Sequence, residues 1–296
     1  MNKIILKGQT SFVPSHIFEC GQAFRWKKLD DEAYRFIFRD MVLEARSIDD
    51  SIEILGDFSD KNEILNYFDL NTDYDAIKAK LSLNDEILTK AISFGGGMRI
   101  LKQDPFETYI SFIISANNQI KNIKNTIKKL SQMYGKKLNN PFDDEEYYAF
   151  PTQLELSNAK PEDIKEYARA GFRSERIVIA SKMVQEGIIN FDELKEKNID
   201  DIRKTLLEVP GIGEKVFQCI LLFGLGRTDS FPVDVWVKRV MEELYYGGEE
   251  RNKKLIQEDG LRRFGDLSGY AQQYLFYYMR ENFKKMKKEE KNVDNK

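Results

Sequence analysis

The hydrophobic rhythm of this chain changes once, and that change constrains its fold more than any other feature. From Phe24 to Leu55, short segments rich in Phe, Ile, Val and Tyr, such as Tyr34-Arg35-Phe36-Ile37-Phe38, are separated by Asp-rich turns, which predicts an antiparallel sheet. Beyond Asn62, apolar residues recur three and four apart, at Ile64, Leu65 and Phe68 and again at Ile77 and Leu81, which predicts helices. The Gly95-Gly96-Gly97 run reads as the joint between an α/β first lobe, residues 1–98, and a helical remainder, residues 99–283. In that remainder helices are predicted near 105–116, 120–134, 152–156, 161–168, 174–187, 199–208, 214–224, 234–245, 251–263 and 268–283, with few strand signals. Residues 284–296 mix Lys, Glu, Asn and Asp without apolar periodicity and are expected to fray. The fold class is α+β: an N-terminal antiparallel sheet with helices, then an all-helical, two-lobed region.

Composition narrows the chemistry. A chain of 296 residues suits two packed lobes, since single cores stop growing near about 250–300 residues. No apolar run reaches the ~18 residues of a membrane span, and the first ten residues carry no small-residue cleavage pattern, so an intracellular protein is expected. Cys20 and Cys219 are too few and too far apart for a disulfide framework, and one histidine, His16, does not make a metal site or a Ser-His-Asp triad. The formal charge of −3 looks unfavourable for binding phosphates, but its acidity sits early: 12 basic against 17 acidic side chains over residues 1–98, and 34 against 32 after them. Lys121, Lys124, Lys128, Lys129, Lys136 and Lys137 follow one another with no acidic residue between, as a nucleic-acid surface or simply a solvated helix face.

The most informative stretch is Leu207-Glu208-Val209-Pro210-Gly211-Ile212-Gly213-Glu214-Lys215, a tight hairpin between two apolar-periodic helices. Gly211 and Gly213 let the chain turn and leave the amide N–H groups of the second helix open to an anion, for which a duplex phosphate is the natural candidate. Such a contact uses main-chain donors and the helix dipole, and so needs little net charge. About twenty residues later, Pro232-Val233-Asp234-Val235-Trp236 starts another helix. Lys215 is a candidate nucleophile and Asp234 a candidate stabiliser of developing positive charge. Plainer readings stand beside these: a simple helical turn, a phosphate-contacting lysine and an N-capping aspartate.

The hairpin together with Asp234 resembles the helix-hairpin-helix, Gly/Pro-rich, Asp-containing superfamily of DNA glycosylases, and further motifs from about Phe18 to Arg280 resemble its 8-oxoguanine DNA glycosylase family. Lys215 matches the members that form an imine and also nick the strand. Cys20-Gly21-Gln22-Ala23-Phe24-Arg25-Trp26 is similar to the family's Gly-Gln-x-Phe-Arg-Trp segment, which implies that the Gly21 carbonyl accepts a hydrogen bond from N7–H of the oxidised base. Guanine has an acceptor at N7, so that one carbonyl separates lesion from parent. The resemblance also makes Gln272 and Phe276 the base-recognition pair and places Cys219 against the base's other face. Asn117, in Ser115-Ala116-Asn117-Asn118-Gln119-Ile120, matches the plug that fills the space of a flipped base. Phe172 and Arg173 match a wedge and a donor to the opposite cytosine.

Two positions depart from the eukaryotic members: Asn122 stands where they have Arg, and Trp236 where they have a His near a phosphate. Opposite-base preference is therefore expected to be relaxed and backbone clamping rearranged. The resemblance implies duplex DNA containing oxidised guanine as partner, a monomer, and no cofactor. No cysteine follows Cys219, which argues against the branch of the superfamily that carries an iron-sulfur cluster. The alternatives are a glycosylase of the same superfamily for another damaged base, or a non-enzymatic helix-hairpin-helix DNA-binding module.

Overall fold

The computed structural model describes residues 1–293, with side chains as far as residue 283. The chain opens with β1 (Asn2–Lys7), α1 (Pro14–Glu19), β2 (Trp26–Lys28), β3 (Ala33–Phe38), β4 (Met41–Ile48) and β5 (Ser51–Gly56). The strands form one antiparallel sheet in the order β1-β5-β4-β3-β2, with Phe36 opposite Leu43 and Ile54 between Ile4 and Ala45. The sheet expected between Phe24 and Leu55 is present, and β1 extends it at one edge. Ile4 and Leu6 face the core, but the exposed position between them is also apolar, Ile5, so the sequence lacks the alternation that would have announced the strand.

One face of the sheet is covered by α1 and by α2 (Lys61–Tyr67). Phe18 of α1 stacks on Tyr34 at 5.5 Å and meets Phe36 at 5.0 Å, in a core shared with Ile64 and Phe68. Next come α3 (Tyr74–Ser82) and α4 (Glu86–Gly95), begun by the capping carboxylates of Asp73 and Asp85. Both precede the glycine run, yet Tyr74, Leu81, Leu88 and Ala91 pack in the helical core and not under the sheet.

The helical body comprises α5 (Pro105–Ser115), α6 (Ile120–Tyr134), α7 (Gln153–Ser157), α8 (Pro161–Glu166), α9 (Ser174–Gln185), α10 (Phe191–Glu196), α11 (Ile199–Leu207), α12 (Glu214–Phe223), α13 (Val235–Val240), α14 (Lys253–Phe264) and α15 (Ser268–Val293). α5 and α12 are its axis: from Phe106 to Ser115 only Glu107 is not fully buried, and Val216–Phe223 is buried throughout. Phe112 stacks on Phe223 at 5.4 Å where the two helices meet. Helices buried on every side belong at the centre of a fold.

In the helical body three features differ from the sequence reading. α10 is too short to show a period and buries only Leu194. The helix expected over 234–245 ends at Val240 and continues as a π-helical turn, Met241–Tyr245. The segment expected to fray from residue 284 continues α15 as far as Val293; its Lys, Glu and Met are good helix formers, and this propensity outweighs the missing apolar stripe. Residues 294–296 of that segment lie outside the described residues.

Candidate active site

The hairpin links α11 to α12. Gly211 has φ +98°, a backbone conformation that favours glycine, and a Cβ there would also displace the Arg176 side chain, whose Cδ would lie 2.6 Å away. Gly213 is the N-cap of α12, with open space around it, and Lys215 is the second residue of that helix. Glu214 fastens this end: it is ion-paired with Arg203 of α11 and accepts hydrogen bonds from Gln257 at 2.8 Å and Gln218 at 3.0 Å. Gln218 in turn accepts from the Phe231 amide at 3.0 Å, which fixes the extended segment leading to Asp234.

Lys215 and Asp234 line one cleft of about 780 Å³. Nζ of Lys215 is 3.2 Å from Oγ of Ser115, which ends α5, and 5.2 Å from the centroid of the Phe112 ring. Asp234 is the N-cap of α13; its carboxylate accepts from the amides of Trp236 at 2.9 Å and Val237 at 2.8 Å. The capping role and the cleft position coexist. Burial pushes the Asp234 carboxyl above the ordinary carboxylate range, against the opposing pull of the Val237 amide and the Lys215 charge. One turn beyond Lys215, burial raises the Cys219 thiol to about 11, with Lys215 pulling it down and Asp234 pushing it up. Cys219 is therefore a neutral thiol on the cleft wall at neutral pH.

The opposite wall comes from the first lobe and from α15. Gly21 has φ +80°, and a Cβ there would lie 3.4 Å from Cε1 of Phe276. Arg280 donates to the carbonyl of Glu19 and so ties α15 to the loop that carries Gly21. Gln272 is buried in the same cleft and accepts from Gln273 at 3.0 Å. Gln22, one residue past Gly21, donates to the carbonyls of Ile17 and Arg99 and accepts from the Leu101 amide, so the loop is clamped on both sides. Thus Gly21, Cys219, Gln272, Phe276, Lys215 and Asp234, named from the sequence, surround one space.

Asn117 is exposed with φ +52° at the rim, where a neighbouring depression is lined by Gly211, Gly213, Asn122 and Lys253. The loop's shape is set by Arg173, whose guanidinium donates to the Ala116 carbonyl at 3.0 and 2.7 Å and to that of Asn117 at 2.9 Å. Arg173 is thus buried against the Asn117 loop, while Phe172 is 57% exposed with Arg173 and Arg176 over its ring. Trp236 lines the cleft and packs on Phe283 at 5.5 Å. Of the lysine-rich stretch, Lys121 lines the cleft, Lys124 lies on the Trp26 ring and Lys129 donates to the Tyr167 carbonyl. It is not one uniform surface.

Sequence reasoning missed Ser115, Phe112, Glu214 and Gln218. Ser115 opens the Asn-rich segment, and Glu214 and Gln218 sit four apart beside Lys215, but nothing in their spacing shows what they face. Among the described residues no group of His, Cys, Asp and Glu is placed to hold a metal ion, and no helix is long and apolar enough to cross a membrane.

Residues 110–264 match the helix-hairpin-helix superfamily of base excision DNA repair proteins, and the fold and the cleft at the hairpin define that class. Residues 4–109 match the N-terminal domain of 8-oxoguanine DNA glycosylase. The chain belongs to the 8-oxoguanine DNA glycosylase family. A crystal structure of the Clostridium acetobutylicum 8-oxoguanine glycosylase/lyase, in complex with DNA containing cytosine opposite 8-oxoguanine, is 41% identical with a TM-score of 0.86, over 92% of this chain and 93% of that one. The probable N-glycosylase/DNA lyase of Methanothermobacter thermautotrophicus is 30% identical over 68% of this chain and 69% of its own. The N-glycosylase/DNA lyase of Saccharomyces cerevisiae is 28% identical, over 88% and 82%.

Proposed function

We propose that this protein excises 8-oxoguanine from duplex DNA and then nicks the strand at the resulting site, with Lys215 as the nucleophile. The observation that carries the reading is the convergence of the Lys215 amine, the Asp234 carboxyl and a largely apolar space, roomy enough to admit a base, on one cleft beside the hairpin. The neutral amine attacks C1′ of the everted nucleotide, and the bond from C1′ to the base breaks with its electron pair leaving on the base. Asp234 stabilises the positive charge that grows on the sugar. Loss of the amine proton and opening of the sugar ring give an imine, from which elimination releases the 3′ phosphate. Gly21 accepts from N7–H of the lesion, Phe276 stacks on the base and Gln272 reads its edge. Cys219 lines the other face.

Main-chain donors at Gly211 and Gly213 hold the backbone, while Asn117 and Phe172 occupy the gap in the stack. In this reading Arg173 shapes the plug, and Asn122 offers a weaker donor than arginine, so preference for cytosine opposite the lesion is relaxed. The reading needs no side chain beyond those of this chain, and it takes duplex DNA containing oxidised guanine as the partner. The test is incubation with duplexes pairing 8-oxoguanine with each of the four bases, followed by borohydride. Trapping of a covalent adduct that disappears in Lys215→Gln is expected. An undiminished adduct in that variant would exclude Lys215 as the nucleophile.

A further inference from the structure

Between Ala271 and Leu275, α15 buries every residue, and two of these are glutamines, Gln272 and Gln273, 3% and 4% exposed. Both line the base cleft. Gln273 Nε2 donates to Gln272 Oε1 at 3.0 Å, and neither side chain makes another hydrogen bond among the described residues. Oε1 of Gln273 is itself buried and has no partner among the described residues. A buried acceptor left without a donor is costly, and a methionine or leucine would fill the place without that penalty. No backbone group and no neighbouring element is held by the Gln273 amide among the described residues. What it holds is the side chain of Gln272.

A glutamine has three rotatable side-chain bonds, and their freedom is lost when the amide meets a ligand. A bond made beforehand, inside the protein, removes part of that loss from the binding step. It also leaves Gln272 usable: both hydrogens on Nε2 and one lone pair on Oε1 stay free for an incoming base edge. We propose that Gln273 is a positioning residue for Gln272, holding that amide in place at the cleft wall before a base enters. This role rests on the proposed reading of the base edge by Gln272.

The test measures base release from 8-oxoguanine duplex at sub-saturating enzyme, strand nicking at a preformed abasic site, and melting temperature, all on the full-length protein. Gln273→Met should release the base about three- to tenfold more slowly, the loss expected when one mobile side chain has to be ordered on binding. Its nicking of abasic duplex, which has no base to read, should equal the wild type. Its melting temperature should be equal or higher, because the orphan acceptor is gone. Should Gln273→Met fail to fold, Gln273→Leu replaces it. Gln272→Ala should slow base release at least as much, and adding Gln273→Met to it should cause no further loss, since the two residues act as one unit.

Base release by Gln273→Met at the wild-type rate, beside a slow Gln272→Ala, would overturn the positioning role alone. Unchanged release by Gln272→Ala would overturn the reading of the base edge, and the positioning role with it. Equal slowing on abasic duplex, or additive losses in the double variant, would show that Gln273 serves the fold and not Gln272, and would likewise overturn the proposal.

Discussion

Ser115 Oγ lies 3.2 Å from Lys215 Nζ and donates its own hydrogen to the Phe112 carbonyl at 2.7 Å, so toward the lysine it can only accept. The end of α5 thereby aims the amine at the start of α12. Ser115→Ala is expected to slow single-turnover base release about three- to tenfold, as loss of one hydrogen bond of ~1 kcal/mol implies, with little change in DNA affinity. A rate equal to the wild type would show that the amine is aimed by other contacts.

Asp234 has a functional prediction and a stability prediction of opposite sign. Asparagine keeps the cap on Trp236 and Val237 but carries no charge, so Asp234→Asn should reduce base release by about a hundredfold or more. The folded carboxyl titrates above its unfolded counterpart because burial disfavours the anion. Its ionisation therefore favours unfolding: the stability present below the ordinary carboxylate range is lost as pH rises through the folded value. Melting curves should show the Asn variant equal to wild type in acid and more stable near pH 7, by about a few degrees at most. A lower melting temperature at neutral pH would contradict this.

The Cys219 thiol, raised to about 11 by burial, should be inert to iodoacetamide in the native protein at pH 7. Mass spectrometry after brief labelling should find both Cys219 and Cys20, also raised to about 11, unmodified until the protein is denatured. Rapid native alkylation of Cys219 near neutral pH would mean that its thiolate is accessible far below that range.

Gly21→Ala tests the lesion-reading loop. A side chain at φ +80° costs about 1–2 kcal/mol, and its Cβ would rest in contact with the Phe276 ring, so the strain lies in the backbone. Affinity for 8-oxoguanine duplex should fall about tenfold or more, while binding to undamaged duplex is unchanged. An equal loss on both would place the defect in the fold and not in recognition.

The long helices were legible because burial imprints its period on them: α6 and α12 lie within a residue of where the apolar spacing put them. Among the short elements α7 and α8 were placed to within two residues, whereas β1, α1 and α10 escaped. In the cleft, the groups proposed to carry the chemistry were readable because hairpin glycines, a cap-forming aspartate and an off-pattern lysine are each odd residues in their setting. Their supports were not. Ser115, Glu214 and Gln218 are ordinary helix-end or helix-face residues, and only the crossing of α5, α11, α12 and α14 gives them partners. Arg173 is the reverse case: its motif was visible, but its attachment to the Ala116 and Asn117 carbonyls is a property of the assembled loop.

The bond from Arg280 to the Glu19 carbonyl joins two parts of the chain 261 residues apart. During synthesis the Gly21 segment leaves the ribosome early, and this fastening follows only much later. A nascent or truncated chain that stops short of Arg280 can already possess the hairpin and the bonds that Gln22 makes to Ile17, Arg99 and Leu101, while the tie between the Gly21 loop and α15 has still to form.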